Sequence, residues 1–63
     1  MSTPQNGWID SVYESLLLRD GKEIACTFKG SSGVWWWSVA HRVLDFAITR
    51  EFAKAAVEKE VAK

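Results

Sequence analysis

Cysteine is almost absent from this chain, since Cys26 is the only one among 63 residues. One thiol excludes an intrachain disulfide and a zinc site built from several cysteines. It is typical of a protein that folds in a reducing compartment, so we expect the cytoplasm. The only proline is Pro4, and neither glycine nor proline follows Gly33. The second half of the chain can therefore continue as one helix without a helix-breaking residue.

The chain also lacks an excess of charge of either sign. Eight basic residues balance eight acidic ones, whereas proteins that bind nucleic acid through its phosphates carry a basic excess. No apolar run is long enough to cross a bilayer, and the N-terminus has no signal-peptide pattern. A chain of this length forms one domain whose core is close to the minimum for stability. We expect an intracellular domain without a membrane contact, stabilised by dense packing or by a partner.

Groups that would carry catalysis are equally sparse. His41 is the only histidine, and the sequence places no nucleophile or oriented acid beside it. Cys26 lies in the middle of a strand-like run, where a packed structural thiol is expected. The carboxylates of the C-terminal third are spread around a predicted helix and form no acid–base pair. We therefore expect a protein that is not an enzyme and that uses neither a cofactor nor a metal.

Aromatic residues, by contrast, are concentrated at one point, Trp35-Trp36-Trp37. Neighbouring side chains of a strand leave opposite faces of the sheet, so Trp35 and Trp37 share one face and Trp36 points to the other. A helix packed on one side of such a sheet would cover the pair and leave Trp36 without cover. Trp36 is thus the strongest indication of function in the sequence.

Residues 8–19 have two interpretations. Their apolar side chains recur at helical spacing, and Gly21 would then end the helix. Asp20-Gly21 is also the preferred pair for a two-residue hairpin loop, and the strand-like residues 23–28 follow it. We favour the hairpin because it gives the second strand a partner. Residues 1–7 are polar and are expected to fray.

Two successive turns set the predicted register. With Asp20-Gly21 as the first loop and residues 30–33 as the second, alternation divides three strands into two faces. The face that the helix would cover holds Tyr13, Leu17, Ile24, Cys26, Phe28, Trp35 and Trp37. The opposite face holds Leu16, Leu18, Ala25, Thr27 and Trp36.

Residues 39–63 are good helix formers, and Ser38 is a suitable N-cap for them. One apolar stripe of this helix would cover the sheet: Ala40, Val43, Leu44, Ala47, Ile48, Phe52 and Ala55. A second stripe would remain as another contact surface: Val39, Phe46, Ala53 and Val57. The predicted fold is α+β, a three-stranded antiparallel β-meander (residues 8–37) with one long C-terminal helix (residues 39–63) packed on one face.

A pattern of spaced residues runs through the middle of the chain: Ile24, Phe28, Gly33, Trp35, Trp37, Val39 and Val43. It resembles the KTSC domain, a small module at the C-terminus of some lysyl-tRNA synthetases, in which a helix follows an aromatic-x-aromatic motif. The match covers residues 11–53 in outline. Trp35 and Trp37 stand where the family usually has tyrosines, and Ala40 stands where it has proline. The resemblance implies a similar fold and, as an activity, RNA binding.

The hairpin loop Asp20-Gly21-Lys22 is similar to one in small phage inhibitors of uracil-DNA glycosylase, which are chains of comparable length. Proteins of that kind act by occupying a surface on a host enzyme. The likeness implies a phage or mobile-element protein that binds and modulates a host protein.

Two functions remain open. In the first, the protein is an interaction module whose uncovered apolar face binds a host protein or a second copy of the chain, as a homodimer. The candidate partner-binding residues are Trp36, Leu16, Leu18 and Thr27 on the sheet, with Phe46 and Val57 on the second helix stripe. In the alternative, sheet aromatics stack on single-stranded nucleic acid and the phosphates meet Arg19, Lys22, Lys29 and Arg42. Acidic residues lie among these cations, so the sequence favours the protein partner.

Overall fold

The computed structural model describes residues 6–63, which form a five-stranded antiparallel sheet and one C-terminal helix. The elements are β1 (Gly7–Asp10), β2 (Glu14–Arg19), β3 (Lys22–Lys29), β4 (Trp35–Val39), β5 (Arg42–Ala47) and α1 (Arg50–Val61). Each strand pairs with the next in sequence, so the sheet order is β1-β2-β3-β4-β5. The α+β class is confirmed, whereas the three-stranded meander and the helix from residue 39 are wrong.

The hairpin between β2 and β3 turns at Asp20-Gly21, as predicted. Asp20 and Gly21 have φ angles of 53° and 78°, the left-handed pair that a two-residue type I′ loop requires. The helical interpretation of residues 8–19 is therefore wrong, and β1 adds a further strand outside β2. Of the segment expected to fray, residues 1–5 lie outside the described residues, and Gly7 begins β1.

A one-residue bulge in β3 changes the predicted register. Next to the loop, Leu18 pairs with Glu23, as predicted. Leu17, however, pairs with Ala25, so Ile24 is an extra residue on β3. Beyond this point the pairing is shifted by one residue, and such a shift moves every side chain of a strand to the other face.

The bulge decides which side chains lie under the helix. Three residues stay on the helix-covered face, as predicted: Leu17, Trp35 and Trp37. Two residues predicted for the other face join them: Ala25 and Thr27. Two that were expected under the helix lie instead on the face of Trp36: Cys26 and Phe28. The helix-covered face thus receives small side chains, which let α1 approach the sheet closely.

Residues 42–47 form β5 and not the first part of the predicted helix. Without β5, β4 would present a row of unpaired backbone groups. Val43 and Phe46 are of the β-branched and aromatic types that suit a pleated surface, so pairing with β4 overrides the helix propensity of this segment. The loop into β5 is Ala40-His41, with φ angles of 54° and 64°. Ser38, the predicted N-cap, lies within β4.

The helix begins at its own cap. Thr49 Oγ1 accepts a hydrogen bond from the backbone amide of Phe52 at 3.2 Å, which marks Thr49 as the N-cap. The helix packs on β3, β4 and β5, and Ala53 and Val57 are fully buried against the sheet. Beneath it lies a core of small side chains, with Thr27 among the largest that are fully buried.

The buried hydroxyl of Thr27 gives a test of the β3 bulge. Its oxygen has no hydrogen-bond partner within residues 6–63, and an unpaired buried polar group costs about 1–3 kcal/mol. Valine has nearly the same shape without the polar atom. We expect Thr27→Val to raise the free energy of unfolding by about 1 kcal/mol, as measured by urea denaturation. Thr27→Ser keeps the hydroxyl, loses a methyl group and should destabilise; a Thr27→Val protein no more stable than wild type would contradict this placement.

The two-residue loops Asp20-Gly21 and Ala40-His41 each have a positive φ at their second residue, and these two residues give a matched pair of variants. Gly21 adopts a positive φ without strain, whereas a left-handed conformation costs His41 about 1–2 kcal/mol. We expect His41→Gly to stabilise the protein by up to about 1 kcal/mol and Gly21→Ala to destabilise it by a similar amount, both measured by thermal unfolding. A lower melting temperature for His41→Gly would mean that the imidazole makes a contact worth more than the backbone strain.

Candidate functional site

One broad face of the sheet has no other element packed on it within residues 6–63. The pairing register gives this face one row of residues across all five strands and a second across four: Ile9, Leu16, Cys26, Ser38 and Val43, then Glu14, Phe28, Trp36 and Phe46. We name these residues the open face. Glu14 is its one charged member, at the end of the second row.

Three aromatic residues form a cluster in the second row. Phe28 pairs with Trp36, which in turn pairs with Phe46. The ring centroids of Trp36 and Phe46 are 5.2 Å apart and the ring planes are tilted by 58°, an arrangement that suits the quadrupoles of aromatic rings. Gly30 gives the indole room, because a Cβ at Gly30 would lie 2.7 Å from Trp36 Nε1. Contacts on two sides therefore hold the Trp36 side chain in place.

The structure brings together three of the six predicted partner-binding residues. Leu16 and Trp36 lie on the open face in adjacent rows, as predicted. Phe46 joins them, but it reaches this face from β5 and not from a helix. Its side chain is 50 % exposed, so it offers surface to a partner.

The other three predicted residues have little or no exposed surface. Thr27 and Val57 are completely buried between the sheet and the helix, whereas Leu18 lies on the same side of β2 as Leu16, as predicted, but is only 9 % exposed beside Gly7. Because of the bulge at Ile24, Thr27 lies on the helix-covered face and not on the predicted open face. Val57 faces the sheet because the helix begins at Arg50. None of the three has surface to offer a partner.

Five open-face residues were not assigned to this face from the sequence: Ile9, Cys26, Phe28, Ser38 and Val43. No residue type marks the bulge, so the sequence carries no signal for the change of face of Cys26 and Phe28. Val43 had a weak signal, since residues 42–47 also suit a short strand. The preceding loop, Ala40-His41, lacks the glycine or asparagine that usually identifies a tight hairpin.

The outer edge of β5 is poorly suited to pairing with another strand. Leu44 is an extra residue in the pairing with β4, so a bulge interrupts this edge. Asp45 Oδ1 accepts a hydrogen bond from the backbone amide of Phe46 at 2.8 Å, and an added strand would need that donor. Bulges and charged side chains are means by which natural edge strands avoid pairing. We therefore expect contacts with other molecules at the open face rather than along this edge.

Arg50 holds the start of the helix on the covered face. Its guanidinium carbon lies 4.4 Å from the centroid of the Trp35 ring, a cation–π contact. One of its nitrogens also donates to the backbone carbonyls of Ser11 and Val12 at 2.7 Å each. The guanidinium group is thus held on the side of the sheet away from the open face.

A second set of contacts ties the helix to β1. Lys54 lies 5.2 Å from the centroid of Trp8 and forms an ion pair of 2.7 Å with Asp10. The indole nitrogen of Trp8 donates to Glu58 at 2.9 Å, and Ser15 Oγ donates to Asp10 at 2.8 Å. Arg50 and Lys54 therefore both hold the helix on the sheet, and neither lies beside the aromatic cluster.

A further apolar surface borders the open face. A cleft of about 440 Å³ lies between β5 and the helix, lined by Trp37, Asp45, Phe46, Ala47, Ile48, Phe52 and Ala56. Ile48 and Phe52 are 78 % and 69 % exposed. Because Phe46 contributes to both surfaces, apolar area continues from the open face around β5 to the helix.

Groups of metal-ligating side chains are not found in the described part of the chain: no three His, Cys, Asp or Glu residues lie close enough together to hold an ion. Of the helical segments in residues 6–63, none has both the length and the apolar character that crossing a bilayer requires.

Comparisons of the chain with protein-family models, with curated proteins and with solved structures gave no match. The resemblances to the KTSC domain and to the phage inhibitors therefore rest on the residues quoted above.

The Asp10 carboxylate gives the docking of the helix a pH dependence. Hydrogen bonds from Lys54 and then from Ser15 hold the pKa of Asp10 below its usual value of 3.8. A folded-state pKa below the unfolded value contributes stability above the unfolded pKa, and this stability is lost as the pH falls through the folded-state pKa. We expect Asp10→Asn to cost less than about 1 kcal/mol at neutral pH, because the side chain is half exposed.

The same variant should lose less stability than wild type when the pH drops below about 4. Urea denaturation across the acid range measures this difference. Lys54→Met, which removes the cation, is expected to show the same weaker pH dependence. Equal acid sensitivity of all three proteins would show that the ion pair does not contribute.

Proposed function

We propose that the protein is a non-enzymatic interaction module that binds another protein chain through the open face. The observation that carries the proposal is the cluster of Phe28, Trp36 and Phe46 on a face that no element of residues 6–63 covers. Monomeric proteins rarely expose a contiguous apolar patch larger than a few hundred Å², and larger patches mark interaction sites. The open face has the composition of such a site.

Trp36 is the expected hot-spot residue of the open face. Hot-spot residues of interfaces are enriched in tryptophan and lie near the middle of the contact area. The Trp36 side chain is half-buried and already held by Gly30 and Phe46. Little side-chain freedom would therefore be lost on binding, which lowers the entropic cost of association.

The distribution of charge supports a protein partner over nucleic acid. Stacking of bases on aromatic rings is normally combined with cations that hold the phosphates. The charged residue in the aromatic row is Glu14, an acid. Arg50 and Lys54 are stacked on Trp35 and Trp8, on the other side of the sheet. RNA binding, which the KTSC resemblance implies, is therefore the less well supported alternative.

The proposal extends to the kind of partner. The likeness of Asp20-Gly21-Lys22 to phage inhibitors implies a host protein in the cytoplasm, whose activity the chain would modulate by covering a surface. A second copy of the chain is the other candidate. Both would use the open face, and both would depend on Trp36.

A charge at Trp36 tests the proposal. Trp36→Glu should weaken binding at least about 30-fold, which corresponds to the ~2 kcal/mol of a hot-spot residue. Val12→Glu is the matched control, because Val12 is apolar and 75 % exposed in the loop between β1 and β2. Capture from a host lysate with each protein identifies binders. Titration with the purified binder gives Kd, and sedimentation measures self-association.

Circular dichroism must show the same secondary structure in all three proteins. A Trp36→Glu protein that keeps both its oligomeric state and its affinity for the purified binder would overturn the proposal. Salt-dependent binding of a single-stranded oligonucleotide, lost in Trp36→Glu, would favour the nucleic-acid function instead.

A further inference from the structure

We infer that a second copy of this chain covers the open face, so that two sheets pack face to face in a homodimer. The inference rests on the proposed function of that face and names its occupant. Every open-face residue except Glu14 is uncharged. Interfaces between identical subunits are more apolar than those of transient complexes, which resemble the rest of the protein surface. The composition of the face therefore favours a permanent partner. A second copy of the chain meets this requirement, because it is always present together with the first.

The size of the face suits such a dimer. The chain is a slab with principal extents of 33 × 28 × 18 Å, and the helix occupies one of its two broad sides. An ellipse with the two longer axes, which outlines the whole chain and is an upper limit for the open face, covers about 700 Å². Each partner buries ~800 Å² in an interface of standard size, so only nearly complete overlap of two open faces would approach that size.

The small core gives the chain a reason to bury this face. Among residues 6–63, Val57 is the largest side chain that is fully buried, and each of the four tryptophans keeps part of its surface exposed. Domains of this size have little stability beyond what their core provides. Covering Phe28, Trp36 and Phe46 would add the aromatic burial that the single chain lacks.

Symmetry predicts which residues meet. Two identical faces overlap most completely when the two-fold axis passes by the centre of the sheet. Cys26 lies at this centre, because β3 is the middle strand and Cys26 is the middle residue of the first open-face row. Cys26 is half-buried in the single chain, and its Sγ lies 3.0 Å from the Oγ of Ser38, within hydrogen-bonding distance. A second sheet about 10 Å away would shield the thiol, while Glu14, at the end of its row, would remain at the wet rim.

A different dimer, in which two β5 edges join into one continuous sheet, would leave Cys26 exposed. The bulge at Leu44 and the hydrogen bond from the Phe46 amide to Asp45 oppose that arrangement. The reactivity of one thiol therefore distinguishes face-to-face packing from edge pairing.

The test measures oligomeric state and thiol reactivity in the same samples of the full chain. Sedimentation equilibrium gives the dimer fraction, and an aromatic disulfide reagent gives the reaction rate of Cys26, the one cysteine. We expect wild type to dimerise and its rate to fall about tenfold when about nine-tenths of the chains are dimeric, because only free chains react. Val12→Glu should behave like wild type. Trp36→Glu should stay monomeric and react at a fast rate that does not depend on protein concentration.

Two results would overturn the inference. If wild type remains monomeric at all concentrations, the occupant of the open face is a different protein. If a dimer forms in which Cys26 reacts as fast as in Trp36→Glu, the chains associate through another surface. A different result would contradict the proposed function itself: Trp36→Glu would keep the oligomeric state of wild type and its affinity for the purified binder. Should Trp36→Glu be unfolded by circular dichroism, Phe46→Glu, which alters a half-exposed side chain at the end of the row, provides the same test.

Discussion

One helix has to stabilise a sheet of five strands, and the rest of the structure depends on this constraint. An α-helix with its side chains is about 10–12 Å wide, whereas five strands at a spacing of about 4.8 Å span roughly 20 Å. The helix lies on β3, β4 and β5, so β1 reaches it through long side chains. Trp8 and Asp10 make that connection with Glu58 and Lys54. The second face of the sheet receives nothing from this helix.

The bulge at Ile24 determines how the two faces divide the apolar side chains. It places Ala25 and Thr27 under the helix, where small residues allow close packing. The same shift moves Phe28 beside Trp36. A single extra residue therefore serves the core and creates the aromatic cluster at the same time. The candidate site is thus a consequence of how the core is packed and not a separate addition to the fold.

Local chemistry explains which parts of this structure could be predicted from the sequence. Asp20-Gly21 correctly locates the first hairpin, and alternation correctly separates Trp36 from its two neighbours. The bulge left no signal, because Ile24 is an ordinary strand residue, so Cys26 and Phe28 were assigned to the helix-covered face and Thr27 to the open face. β5 was missed since its apolar residues fit a helical stripe as well as a strand, and since Ala40-His41 is an unusual hairpin loop. Pairing with β4 across the Ala40-His41 loop decided between the two.

The contact between the two ends of the chain has a consequence for how the protein opens. Within the sheet each strand pairs with its neighbour in sequence, and such local contacts are associated with low contact order and rapid folding. The Trp8–Glu58 hydrogen bond is different, because it joins residues fifty positions apart and closing so long a loop is entropically costly. We therefore expect β1 and the C-terminal half of the helix to open together, because the release of either one breaks this hydrogen bond.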